Sequence, residues 1–482
     1  MPLPRSTPSI AGVDASGVLA FLDAADRAGV DLHSVMMARR GQVFAEGWWE
    51  PYAADRVHLG YSLSKSFTAT AIGLLVDEGR LRLDDPVLGF FPWVDRAGVT
   101  PEYERLLVRH CLSMTTGHVE DMWNPGLVAP DDGRGDPDPA VRRIFALTLP
   151  AEPGTVFTYN QVATYLLGAV IRAVTGGDIL DLLRARVFTP LGWGEAFWHT
   201  TSYAAQLGFT GIHVTTETIL GLAQLHLDGG LGPGGRRILS AEWVTEATRG
   251  TGAPRAVPDP GSGPDWNCGY GFSFWQARHG YRGDGAFGQF ALVLPEQELA
   301  IAITSEVEDM QAVLDLVWQH VLPAVDRAGP PDADAALRRR LGSLEVPALA
   351  STSLGEDASW PLRDAFGFGD VGGSVTVTRR SGGWRIALEL AAGDEHPQAI
   401  SLTVGDGAWL PGELTAYGRM LPVAASGGWT GAGFAADIRM IETSHTIELR
   451  TQRDRATLAM HLIPLSGPWP FALAVRTPEE DS

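Results

Sequence analysis

Lysine is almost absent. Of 482 residues, 37 are lysine or arginine, and only one of these, Lys65, is lysine. The arginine bias reads as codon composition rather than function. It makes the surviving amine informative, because a guanidinium stays protonated at any ordinary pH and an amine does not. Cysteine is scarce too. Cys111 and Cys268 lie far apart, form no metal or redox motif, and read as small hydrophobes of the core. No run of 18 apolar residues occurs, so no membrane-crossing helix is expected. The N-terminus "MPLPRSTPSIAGVDASG" lacks a basic stretch followed by an apolar core, so no signal peptide is read there. The cytoplasm is the expected compartment. Acids outnumber bases by 57 to 37, a net charge of −20, which argues against nucleic acid or an anionic membrane surface as partner. The 12 histidines form no His-Glu-x-x-His motif, and no metal or cofactor is expected. No Gly-x-Ser-x-Gly nucleophile elbow occurs either.

What is present suggests two or three domains, the ordinary expectation for this length. Val18, Leu19, Phe21, Leu22 and Ala25 at helical spacing predict a helix over 15–28. Arg39-Arg40-Gly41-Gln42 between two apolar runs predicts a hairpin. "LLVRHCLSMTTGH" reads as a helix ending near Gly117, and "GAFGQFALVLPEQELAIAITS" as a hairpin of two apolar strands. Near Ala328 the texture changes. Residues 329–358 read as a linker with one short helix. Beyond them, period-2 alternation as in "SVTVTRRSGGWRIALEL" predicts a small antiparallel β domain over 359–482, a sandwich or a barrel. The expected first domain is 1–328.

The lone lysine sits in "HLGYSLSKSFTATAIGLLVDEG", three residues after Ser62. Ala69, Ala71, Ile72, Leu74, Leu75 and Val76 make the following helix apolar almost all round, so it is buried. Ser62 and Lys65 share one side of its first turn. The free N–H groups and positive dipole end of a helix start favour developing negative charge. Burial makes the charged amine costly, so a neutral amine can take the serine proton. The plainer alternative is that Ser62 or Ser64 is only an N-cap and that Lys65 reaches to solvent.

"YSLSKSFTATAIGLLVDEGRLRLDDPV", "LLVRHCLSMTTGH", "FTYNQVATYLLGAVIRAVTG" and "VFTPLGW", in that order, resemble the penicillin-recognising serine hydrolases. That group includes class C β-lactamases, penicillin-binding proteins, D-aminopeptidases, esterases and amidases. The resemblance runs over about residues 15 to 325, and Ser-x-x-Lys is the group's nucleophile motif. It implies an α/β (α+β) fold in which an antiparallel sheet is flanked by helices beside a helical lobe. The small all-β domain would follow.

The group's second motif, Tyr-x-Asn, falls on "FTYNQ". Tyr159 takes the tyrosine position and the proton-relay role, Asn160 the middle, and Gln161 the place of the usual Asn. The resemblance implies that Asn160 and Gln161 both bind substrate, the Gln161 amide donating to it and accepting from Lys65. The third motif, Lys-Thr-Gly or His-x-Gly, falls on Gly283-Asp284-Gly285. Its glycines are expected to let substrate approach closely. The backbone N–H groups of Ala286 and Ser62 form the candidate oxyanion hole. Arg282 or Asp284 is a candidate substrate contact, with a solvated turn as the alternative. His118, Asp121 and Trp123 are candidates for the cleft wall.

With no second lysine, the cation that meets the carboxylate of a penicillin or a peptide C-terminus is missing. The resemblance then implies an esterase, amidase or peptidase working through a Ser62 acyl-enzyme on small-molecule or short-peptide substrates. The alternatives are a β-lactamase proper and a non-catalytic acyl- or peptide-binding protein of the same fold.

Overall fold

The computed structural model describes residues 2–130, 133–257, 263–368, 372–390 and 398–478. The last four residues of the expected β domain, 479–482, lie outside them. A six-stranded sheet organises the N-terminal two thirds. Its order is Gln42–Trp48, Leu32–Arg39, Leu299–Ser305, Gln289–Leu294, Tyr281–Gly285 and Trp275–Gln276, with antiparallel pairing throughout. Alternation along the strands separates two faces. Val35, Met37, Phe290, Leu292, Ile301 and Ile303 pack on helix Ala15–Ala28 and the segment after Met310. Met36, Ala38, Ala291, Val293, Ala300 and Ala302 face the helices Ser64–Asp77 and Thr216–Leu227. Four of those six are alanine, and the thin layer lets the helices sit close to the sheet.

Helix Ser64–Asp77 lies between this sheet and the helical lobe. Every residue from Ser64 to Leu75 is buried, as an all-round apolar helix requires. Helix Gln161–Thr175 packs against it from the lobe. The helix expected to end near Gly117 is shorter, Val108–Leu112. Met114 takes a φ of +57° and turns the chain out of the helix. Cys111 is buried as expected. Cys268 is exposed, its thiol directed to the carbonyl of Pro264, and is no core residue.

The C-terminal strands, from Ala358–Ala365 to Ala456–Met460, form a nine-stranded barrel. Consecutive strands pair antiparallel except Gln398–Gly405 and Leu410–Ala416, where Gly405 instead makes a parallel bridge to Ser426, and the first and last strands run parallel, with Leu362 opposite Ala456. The seam corrects the expectation of a purely antiparallel domain. An odd number of up-and-down strands leaves the first and last pointing the same way. The segment 329–358 carries helix Ala333–Leu341, whose Leu337 is buried in the same cluster as Phe21 and Leu22. No helix among the described residues is long and apolar enough to cross a membrane.

Candidate active site

Ser62 lies in a tight 3-10 turn, Tyr61–Leu63, immediately ahead of helix Ser64–Asp77. Neither Ser62 nor Ser64 caps the helix. The cap position is Leu63, without a side-chain bond. Ser64 instead donates to the Tyr61 carbonyl at 2.6 Å and accepts from the Ile212 N–H at 3.0 Å, pinning the turn. Ser62 is half-buried and open to the cleft.

Lys65 is 1% exposed, so it does not reach to solvent. Its Nζ lies 3.0 Å from Ser62 Oγ and donates to the Phe209 carbonyl at 2.9 Å. The rings of Tyr159 and Phe209 flank the amine, with centroids at 4.8 and 5.6 Å. Burial lowers its pKa from the ordinary value to about 7, against the opposing charges of Asp121 and Asp284. Near neutral pH the amine therefore exists in both forms, which an arginine could not match.

Tyr159 stands beside Lys65 and Ser62, with its ring centroid 4.8 Å from Lys65 Nζ and Ser62 acting on its hydroxyl. Its ring stacks on Trp275 at 5.3 Å and meets the edge of Tyr270 at 6.0 Å. Burial, then the charge of Asp284, pushes the phenol well above its ordinary value, and Ser62 offsets only part of this. The phenol thus keeps its proton, and the lysine is the group on this serine that can accept one.

Gly283-Asp284-Gly285 forms the end of strand Tyr281–Gly285 beside the nucleophile turn. The chain itself approaches these glycines closely. A Cβ on Gly285 would lie 2.0 Å from the Gly60 carbonyl oxygen, and one on Gly283 would lie 2.6 Å from Ser66 Oγ. Ala286 follows, half-buried, at the tip of the turn. Asp284 is 7% exposed and acts electrostatically on Lys65 and Tyr159. Arg282 is 0% exposed and cannot contact substrate. It pairs with Asp284 at 3.0 Å, donates to the carbonyls of Asp265 and Gln276, and lies over the Trp266 ring.

Asn160 also departs from expectation. It is fully buried and caps helix Gln161–Thr175, accepting from the Ala163 N–H at 3.0 Å and donating to the Thr158 carbonyl at 2.7 Å. Its amide is used inside the fold. Gln161 is half-buried, and its Oε1 has no protein partner. Lys65 donates to the Phe209 carbonyl where acceptance by Gln161 was expected. His118 is 1% exposed, bonded to Tyr103 and Thr116, and burial lowers it to about 4, so it is no cleft residue. Asp121 is exposed and accepts from the N–H groups of Gln161 and Trp123. Trp123 packs edge-on against Phe209 at 4.4 Å, which puts it on the Lys65 side of the cleft.

Away from the serine, Asp31, His33 and Glu306 bring metal-ligand atoms within 4.8 Å of one another. Arg439 already pairs with Asp31 at 2.8 Å and donates to His33 Nε2 at 3.4 Å. A guanidinium supplies the positive charge there, and the donor set does not fit a metal.

Residues 20–322 match the Beta-lactamase family. The 6-aminohexanoate-dimer hydrolase of Paenarthrobacter ureafaciens is 29% identical over 238 residues, which are 47% of this chain and 59% of that protein. Penicillin-binding protein 4 of Amycolatopsis lactamdurans is 28% identical over 292 residues, 54% of this chain and 72% of that protein. The structure of SurE with D-Leu superposes with a TM-score of 0.50 at 20% identity, covering 89% of this chain and 97% of the other. That likeness of fold reaches beyond the region matched by the family. The chain belongs to the beta-lactamase family of serine hydrolases and carries a β-barrel behind the hydrolase fold.

Proposed function

We propose that the chain is an esterase or amidase that forms an acyl-enzyme on Ser62. One observation carries this reading: the only lysine is buried, 3.0 Å from the serine oxygen and 4.8 Å from the Tyr159 ring centroid, and burial lowers its pKa to about 7. Ser62 Oγ attacks the acyl carbon while its proton passes to the lone pair of Lys65 Nζ. The carbonyl electron pair moves to oxygen, where the N–H groups of Ser62 and Ala286 receive it. Collapse of the adduct breaks the bond to the leaving group, which takes the Tyr159 proton, and Lys65 restores that proton. Water repeats the sequence to release the acid.

Relatives with the Lys-Thr-Gly motif present a cation at the position of Gly283. Asp284 beside it is paired with the buried Arg282 at 3.0 Å, so a substrate carboxylate meets no counter-charge from this motif. Neutral or amine-bearing substrates are favoured. A panel of p-nitrophenyl esters, amino acid amides and a chromogenic cephalosporin tests the reading. Neutral and amine-bearing esters should exceed carboxylate-bearing analogues by at least about tenfold in kcat/KM. Cephalosporin turnover faster than ester hydrolysis would overturn it in favour of a β-lactamase.

A further inference from the structure

The barrel sends a hairpin tip into the back of the site. Strands Gly433–Met440 and His445–Thr451 are joined through Ile441–Ser444. Hairpin tips are normally exposed. Here Glu442, Thr443, Ser444, His445 and Thr446, five polar residues in a row, are all 4% exposed or less. Buried polar groups are costly unless partnered. The carboxylate of Glu442 pairs with Arg476, Thr443 donates to the Met440 carbonyl and Thr446 donates to Glu306, while three contacts reach the segments beside the catalytic turns. The Glu442 carbonyl accepts from the Leu59 N–H at 2.9 Å. Ser444 Oγ accepts from Gln289 Nε2 at 2.8 Å, and the same nitrogen donates to the Ala286 carbonyl at 3.1 Å. His445 Nδ1 donates to the Leu462 carbonyl at 2.9 Å, which leaves Nε2 to accept from the Tyr61 hydroxyl at 2.5 Å. Burial holds this imidazole neutral. Its ring also packs on Phe287 at 4.7 Å.

Tyr61 and Phe287 share an unusual backbone. Their φ angles are +47° and +65°, a left-handed region that bulky side chains disfavour and that persists only where the surroundings enforce it. Tyr61 immediately precedes Ser62, and Phe287 immediately follows Ala286. One imidazole from the barrel therefore grips the strained residue beside each candidate oxyanion donor.

We propose that His445 is a positioning residue for the acyl-transfer site, supplied by the barrel. Through the Tyr61 hydroxyl and the Phe287 ring, it holds the Ser62 and Ala286 N–H groups in the direction a developing oxyanion needs. The proposal rests on the esterase or amidase reading above.

The test uses the full chain with Tyr61→Phe, His445→Ala, His445→Gln and the pair Tyr61→Phe/His445→Ala. An error of about 1 Å in such a site costs about 100-fold in rate. Tyr61→Phe and His445→Ala are expected to lower kcat on an ester by about 10- to 100-fold with KM within about twofold. The double variant should lose no more than the worse single one, because both remove the same bond. His445→Gln, whose amide can accept from Tyr61, should recover part of the loss. Ile386→Ala, in the barrel core, should lower the melting temperature while leaving kcat unchanged. Tyr61→Phe preserves the packing, so it reads the hydroxyl even if His445→Ala does not fold. Unchanged kcat in Tyr61→Phe, additive losses, or an equal loss in Ile386→Ala would each overturn the positioning role while fluorophosphonate still labels the wild type. A wild type that takes no fluorophosphonate would overturn the hydrolase reading and this proposal with it.

Discussion

Ser62→Ala is expected to lower kcat by about 10⁵- to 10⁶-fold, the scale on which serine hydrolases lose activity with their nucleophile. The protein should stay folded. Ser62 is half-buried, its side chain caps no helix, and Lys65 keeps its bond to the Phe209 carbonyl without it. A melting temperature close to that of the wild type should therefore accompany the loss. The same variant should take no fluorophosphonate label, since the probe needs an activated serine oxygen. Ser64 lies two residues away, but its hydroxyl is engaged with the Tyr61 carbonyl and the Ile212 N–H and does not substitute. Labelling that persists in Ser62→Ala would place the nucleophile elsewhere.

Lys65→Arg is expected to lower kcat/KM by about 10³- to 10⁴-fold, the upper part of the range for a general base, because the larger group must also fit a closed slot. The substitution keeps the positive charge and removes the titratable amine, so it separates base catalysis from electrostatics. The pH profile carries the same information. The active form is the neutral amine, and burial sets its pKa at about 7. Wild-type kcat/KM should therefore rise as pH increases through about 7 and fall below it. Lys65→Arg should lose that limb, because a guanidinium does not titrate there. Stability is linked to the same shift. The unfolded lysine holds its proton to about 10.5, so from about 7 to about 10.5 the unfolded chain binds more protons. Over that window this one group makes stability rise with pH.

The serine and the lysine were legible from their own pattern, a lone amine three residues after a serine on an all-apolar helix, whereas Tyr159 entered only through the family resemblance of "FTYNQ". Two hairpins of the central sheet were legible from apolar runs around turn residues, and the sheet as a whole was implied only by the resemblance. Asn160 was misassigned to the cleft although the cue for its role is local, an Asn directly ahead of a helical pattern, which is an N-cap signal. Arg282 was offered as a substrate contact because sequence spacing does not reveal which way a strand turns its side chains. The Phe209 acceptor had no signal at all, since a backbone carbonyl is the same at every residue. The hairpin at Glu442–Thr446 was invisible for another reason. A polar turn between strands reads as solvated, and its partners Leu59 and Tyr61 lie nearly 400 residues away in sequence. The parallel barrel seam likewise joins strands that only the closed fold brings together.

The claim that an unusually acidic lysine drives this site can be measured without activity. Lys65 is the only lysine in 482 residues, so protein grown with [ε-13C]lysine carries a single labelled side chain. Its chemical shift, followed from pH 5 to 11, should give one titration with a midpoint near 7. A midpoint near 10, the value of a solvated lysine, would contradict the account.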